Sequence, residues 1–319
     1  MRVGVINPFF RFLPDVQEEL LATYPDTKFW DGMGRITPEE LVEFAKDREV
    51  IMPGIAPKFT EEVVSQLPDL KIVACPSAGL DHIDPEVMKR HGIKVAWKPG
   101  VNKESVAELA VSLMINVVRK VNMTNTRLRA GEWGNARDKG GMLIRGRTVG
   151  IHGCGHIGKE VVRYLQPFGC NIIACDRIDY SDFYKDYGVT QVDAETLWKE
   201  SEVLTIHLSR NKSTIGMYSA EVLDKLRPGI FLVNTARGMI FDETALEERL
   251  KDGRIAAAAF DVFHDEPTEQ RSLVELPNFL ATPHLAGSAI EAWEAMALSA
   301  LHGIPDAVVP EPGVYPFED

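Results

Sequence analysis

The sequence predicts an α/β protein of two domains, each on a parallel sheet, with a cleft between them. Three observations predict it. Apolar strand-like runs alternate with helical patterns through most of the chain, as in strands joined by crossover helices. An apolar strand, a glycine turn and the opening of a helix follow one another over Thr148–Gly158. Between two such α/β runs, Lys98-Pro99-Gly100-Val101-Asn102 carries the breakers of a domain crossing. At 319 residues the chain is long enough for two cores.

The first third predicts strands near 2–6, 27–30, 49–53, 71–75 and 93–97. Thr37-Pro38-Glu39-Glu40 has a capping-box pattern and opens a helix near 38–46. Asp84-Pro85-Glu86 is an N-cap followed by proline at the first helical position, and Gly92 closes that helix. After the crossing, a long apolar helix is expected over about Ser105 to Val118; it is too short to span a bilayer and carries Glu108. Residues 120–146 fit neither sheet and read as an arm that packs on another subunit or as a surface excursion. The later strands are expected near 147–152, 171–175, 203–207, 230–234, 256–260 and 279–281. Helices fit near 157–168, 193–199, 219–226 and 242–251, with Ser219 marking a start and Asp252-Gly253 a stop. The proline-rich, acidic stretch Val309 to Asp319 reads as an extended tail.

The net charge of −12 argues against nonspecific binding to nucleic acid or anionic membranes, although a locally basic pocket can still take an anion. Cys75, Cys154, Cys170 and Cys175 have no C-x-x-C spacing and suit buried free thiols in a reducing cytoplasm. Met1 to Asn7 looks like a strand and lacks the longer apolar core of a secretion signal.

Gly153, Gly155 and Gly158 supply G-x-G-x-x-G. The first permits a tight turn, the second lets backbone approach a pyrophosphate, and the third lets helix pack against strand. The helix N-terminus offers free N–H groups to phosphates. Asp176 ends the next strand, 18 residues past Gly158, where a carboxylate would accept both hydroxyls of an adenosine ribose. Together these predict a dinucleotide site. A rival reading takes His152, Cys154 and His156 as metal ligands, but no second cluster lies nearby and the glycines would go unexplained, so no metal is expected.

Three further strand ends fall at the same sheet edge. Ile230–Gly238 delivers Arg237, whose guanidinium can grip a carboxylate with two prongs. Ala259–Pro267 leads through Asp261 into an acidic turn with Glu266, and Leu280–Ser288 delivers His284.

This order of motifs resembles the NAD-dependent D-2-hydroxyacid dehydrogenase family. Ser77-Ala78-Gly79-Leu80-Asp81-His82-Ile83-Asp84 and His91–Val95 resemble its first-domain pattern, Ser105-Val106-Ala107-Glu108 its crossover helix, and Gly131-Glu132-Trp133 its arm. The likeness covers roughly residues 70 to 290. It implies a flavodoxin-like substrate domain of residues 1–100 plus 288–319 and a Rossmann-like NAD-binding domain of 101–287. It also implies a homodimer and a small 2-hydroxy or 2-keto acid substrate.

Carried over, Arg237, Glu266 and His284 are the catalytic residues. Histidine can give or take a proton near neutral pH. Glu266 would orient His284 and favour its charged form, and Arg237 would hold the substrate carboxylate. Ala78 and Gly79 would clamp the other carboxylate oxygen, with Gly54 touching the substrate. Cofactor contacts are expected from Gly153, Cys154, Gly155, His156, Ile157, Gly158, Asp176, Arg177, His207, Thr214, Thr235, Ala236 and Asp261, the last accepting from the carboxamide, and from Ser105 and Val106 across the cleft. Asp176 favours NAD over NADP because a carboxylate repels a 2′-phosphate, although Arg177 could pair with one.

Two features stand apart. Ser209-Arg210 replaces the proline that usually follows His207-Leu208 in the family. Asn7–Phe12 and Met52–Ile55 could wall the substrate side chain, and Arg11, Lys98 and Lys139 could serve a phosphorylated one. The resemblance also admits an NAD(H)-sensing corepressor-like protein. Formate dehydrogenases usually carry glutamine where Glu266 stands.

Overall fold

The computed structural model describes residues 1–32, 35–54, 57–133, 140–314 and 316–317. Ile55, Lys139 and parts of the 120–146 and C-terminal stretches, named above, lie outside the described residues. The chain divides into two compact units, Met1–Asn102 with Ser288–Asp319, and Lys103–Gly287.

In the first unit, β1 (Val3–Val5), β2 (Thr27–Phe29), β3 (Val50–Met52), β4 (Ile72–Ala74) and β5 (Lys94–Ala96) form a parallel sheet in the order β2-β1-β3-β4-β5. The order reverses between β1 and β3, the position where open α/β sheets take ligands. Alternate strand residues feed two cores. Val3, Val5, Val50, Met52, Ile72 and Ala74 pack with Leu20, Met296, Ala297 and Leu301, contributed by helices Pro14–Thr23 and Ile290–Gly303. Ile51, Val73 and Val95 face the other way, onto Leu41, Phe44, Val63 and Met88. The Thr37 capping box forms with both of its hydrogen bonds. Asp84 caps helix Pro85–His91, and Gly92 ends it in the left-handed region at φ 66°.

In the second unit, β6 (Thr148–His152), β7 (Asn171–Cys175), β8 (Thr190–Gln191), β9 (Val203–Ile206), β10 (Ile230–Asn234), β11 (Ile255–Phe260) and β12 (Phe279–Ala281) form a parallel sheet. Its order is β12-β11-β10-β9-β6-β7-β8, doubly wound with the reversal between β6 and β9. Val149, Ile151, Ile172, Ala174, Phe231 and Val233 share a core with Ala107, Ala110, Met114, Val161, Val162 and Leu165, from helices Lys103–Arg119 and His156–Leu165. The opposite face packs Leu204, Ile206, Leu232 and Phe260 on Leu197, Leu223 and Leu246. The edge strand β8 is two exposed residues with no apolar alternation, so the sequence offered no sign of it. Residues 121–129 form a helix without a single buried residue, a segment the apolar pattern passed over. Among the described residues no helix is long and apolar enough to cross a membrane.

Candidate active site

The three glycines of the turn after β6 meet three different surroundings. Gly153 has φ +90°, and a Cβ there would lie 2.7 Å from the His207 carbonyl oxygen, so the turn abuts the end of β9. Gly155 caps helix His156–Leu165, and a Cβ on it would meet nothing within 4 Å. A Cβ on Gly158 would sit 2.2 Å from the Gly153 carbonyl oxygen, so only glycine lets the helix close onto the turn. The open space therefore lies at Gly155, where helix N–H groups point outward.

Asp176 ends β7 and reaches back: its Oδ2 accepts the Cys154 amide at 2.6 Å and its Oδ1 the Ile178 amide at 2.9 Å. Arg177 beside it is exposed. The His-x-Cys-x-His run is not one cluster of like surroundings. His152 is buried with Nδ1 2.7 Å from the Tyr218 hydroxyl, and burial pushes its pKa down to about 4. Cys154 is buried, and burial pushes its thiol up to about 11. His156 is exposed.

Among the described residues, His207 Nδ1, after β9, and Thr235 Oγ1, after β10, are enclosed polar atoms at the sheet's C-terminal edge with no hydrogen-bond partner. His207 holds Thr205 Oγ1 through Nε2 at 2.9 Å, and burial lowers its pKa to about 3, which keeps the ring neutral. Unsatisfied buried polar atoms beside an open glycine turn fit a ligand that brings its own donors and acceptors, as a dinucleotide does.

Several expected contacts are otherwise engaged. Thr214 accepts the Asn211 amide and donates to the Ser209 carbonyl at 2.7 Å, so its hydroxyl braces the loop that carries Ser209-Arg210. Val106 is buried. Ser105 donates to the Ala286 carbonyl at 2.6 Å, which ties the helix start to the loop after His284. The Ala236 amide is taken by Asn234 Oδ1 and its carbonyl by Arg237 Nη1.

Asp261, at the end of β11, has no exposure. Its Oδ1 accepts from the Thr282 hydroxyl at 2.6 Å and the Leu285 amide at 2.8 Å, and its Oδ2 accepts the Ala286 amide at 2.8 Å. These three bonds brace the turn around His284.

Arg237 follows β10 in extended conformation. Glu266 and His284 arrive from the ends of β11 and β12, and Nδ1 of His284 lies 2.6 Å from Oε2 of Glu266. The other oxygen of Glu266 accepts the Phe263 amide at 3.1 Å. Partial burial would raise the Glu266 carboxyl, but the bond to His284, its charge, the Phe263 amide and the nearby Arg237 charge together hold it below its usual value. Ligands in sheets of this kind sit at the strand ends that carry all three groups.

In the first unit, the residues expected to meet substrate gather at the corresponding edge. Asn7 Nδ2 lies 3.4 Å from the Pro53 carbonyl across the strand-order reversal, next to half-buried Gly54. After β4, the Ala78 carbonyl accepts the Trp97 indole N–H at 3.0 Å and the Gly79 carbonyl the Ser77 hydroxyl at 2.8 Å. The expected aromatic wall is largely interior packing: Phe9 and Phe10 are buried and stacked, with Phe9 also against Trp293. Phe12 alone of the three is exposed, because it stacks on Trp293 from the outside. Arg11 donates to the Trp30 and Gly32 carbonyls, and Lys98 is exposed.

Residues 111–286 match the family model for the D-isomer specific 2-hydroxyacid dehydrogenase NAD binding domain. The chain is 36% identical over 269 residues to the hydroxypyruvate reductase of Thermotoga maritima, covering 83% of this chain and 87% of that protein. It is 36% identical over 262 residues to the D-3-phosphoglycerate dehydrogenase of Archaeoglobus fulgidus, covering 82% of this chain; the chain spans only about half (49%) of that relative's length. Among solved structures, the D-lactate dehydrogenase of Aquifex aeolicus in complex with NAD and lactic acid superposes with a TM-score of 0.84 at 26% identity, covering 97% of this chain and 99% of that one. The extent of these matches, spanning the strand ends that carry the glycine turn, Arg237, Glu266 and His284, places this chain in the D-isomer specific 2-hydroxyacid dehydrogenase family.

Proposed function

We propose that the protein transfers a hydride between NAD(H) and a small D-2-hydroxy acid or its 2-keto acid. The observation that carries this reading is the 2.6 Å contact between Glu266, after β11, and His284, after β12, with Arg237 at the end of β10, the other neighbour of β11. When bound, the nicotinamide supplies or accepts the hydride. With Nδ1 committed to Glu266, His284 presents Nε2 to the substrate oxygen. In reduction it donates a proton there; in oxidation it takes one. Glu266 fixes the ring and favours the imidazolium. Arg237 binds the substrate carboxylate and polarises the carbonyl.

The cofactor is NAD rather than NADP. The Asp176 carboxylate at the end of β7, anchored by the Cys154 and Ile178 amides, supports this, because it would repel a 2′-phosphate. The engaged Arg11 favours an unphosphorylated acid. The protein works as a homodimer: helix Val121–Arg129 buries nothing in its own chain, Leu128, Trp133 and Leu143 are exposed, and a groove nearby is lined by Val111, Ile115, Tyr164 and Phe168.

The test is NADH oxidation over glyoxylate, hydroxypyruvate, pyruvate, phenylpyruvate and phosphohydroxypyruvate, repeated with NADPH. Turnover of an unphosphorylated keto acid with NADH supports the reading. Failure across the panel, or a clear NADPH preference, counts against the reaction or the cofactor respectively.

A further inference from the structure

The Phe263–His264 peptide is fixed by two neighbours, and the amide that precedes it by a third. A Cβ on Gly238, the residue after Arg237, would lie 1.9 Å from the Phe263 carbonyl carbon and 2.3 Å from the His264 nitrogen, so the Arg237 turn rests on this peptide. The His264 amide donates to Glu243 Oε1 at 2.6 Å. The Phe263 amide donates to Glu266 Oε1, whose partner oxygen meets His284. Adjacent amides of one short segment are thus each held by a carboxylate, Glu266 and Glu243.

Glu243 is an unusual group to find there. It opens helix Glu243–Lys251 and is only 9% exposed. Burial raises its pKa, opposed by the His264 contacts, and the neighbouring Asp265 and Glu266 charges add to the rise. A buried carboxylate among like charges is a costly way to satisfy one amide. Its geometric consequence is specific: with the His264 amide tied down, only φ and ψ of Phe263 separate that fixed peptide from the Phe263 amide, which limits how far that amide turns from Glu266.

We propose that Glu243 is a positioning residue, which through the Phe263–His264 peptide sets the orientation of Glu266 toward His284. The inference rests on the reading of Glu266 and His284 as the acid/base pair. Glu243 touches neither of them through any bond described above; it acts through the peptide.

Two substitutions separate reach from charge. Glu243→Gln keeps an oxygen at the same reach and drops the charge. Glu243→Asp keeps the charge and retracts the oxygen by one methylene. With NADH and a keto acid from the panel, the full-length glutamine variant should stay within about threefold of wild type across pH 5–9. The aspartate variant should lose on the order of tenfold or more in kcat, with KM for NADH unchanged and a displaced pH profile. Should the aspartate variant not fold, Glu243→Asn shares its short reach without a stranded charge and is read the same way. Coincidence of the short variants with wild type overturns the proposal. So does a glutamine variant worse than the aspartate one, which would assign the effect to charge, or an equal loss in both with an unmoved pH profile, which would be stability alone. His284→Ala is run alongside: if it keeps its turnover, the acid/base reading itself fails, whatever the Glu243 variants do.

Discussion

Asp261 grips the turn on both sides of His284. Its backbone carbonyl accepts the His284 amide at 2.8 Å, and its carboxylate takes the next two amides and the Thr282 hydroxyl. His284 itself sits at φ 53°, in the left-handed region that a residue with a Cβ enters at a cost of about 1–2 kcal/mol. Three donors converging on one buried carboxylate offset that strain and aim the ring at Glu266.

Asp261→Asn should therefore impair both stability and turnover. An amide has one acceptor oxygen and must turn its NH2 toward a donor. Loss of one charge-assisted bond costs roughly 2 kcal/mol, and kcat should fall at least tenfold as the turn relaxes. Urea denaturation and steady-state kinetics check the two together. A stable, fully active asparagine variant would contradict the grip.

His284→Ala should lower kcat on the order of 10²–10⁴-fold while NADH still binds. Fluorescence titration of NADH reports the second half. Loss of cofactor binding in parallel would mean that the ring holds the site together rather than moving a proton.

The two later glycines of the turn should fail in different ways. Gly158→Ala forces a methyl group to within 2.2 Å of the Gly153 carbonyl and should destabilise the fold by about 1–3 kcal/mol. Gly155→Ala places its methyl group in open space, so it should leave the melting temperature nearly unchanged and weaken NADH binding. Thermal melts with and without NADH distinguish them; equal melting losses in both would remove the distinction.

Stability should fall on mild acidification. Burial holds His82 and His152 to about 4 and His207 to about 3, against about 6.5 for a free histidine. Between pH 6.5 and 4 the unfolded chain binds more protons than the fold, so this stability is fully present above 6.5 and is lost as pH falls through the window. For His152 alone the limit is on the order of 3 kcal/mol. Glu49 and Glu247, held at about 2 by their bonds to Lys71 and Lys251, add to the loss only below the ordinary carboxylate range. Urea melts at pH 7 and pH 5 measure the histidine part before Glu49 and Glu247 titrate, with the raised Glu243 carboxyl acting in the opposite direction. Unchanged stability between them would show that the rings are not kept neutral.

Local signals in the sequence determined the strand ends, the caps at Thr37 and Asp84, the different duties of Gly153, Gly155 and Gly158, and the candidacy of Arg237, Glu266 and His284. These follow from side-chain period, backbone permissiveness and short-range capping, which act within a few residues. The tertiary structure alone decided what distant groups do to one another. Asp261 faces the His284 turn, Ser105 reaches Ala286, Thr214 braces its own loop, and Phe9 and Phe10 turn inward. Glu243 reaches the His264 amide from 21 residues away. Such pairings depend on how strands and loops meet in space, and buried polar groups must find whichever partner that meeting supplies.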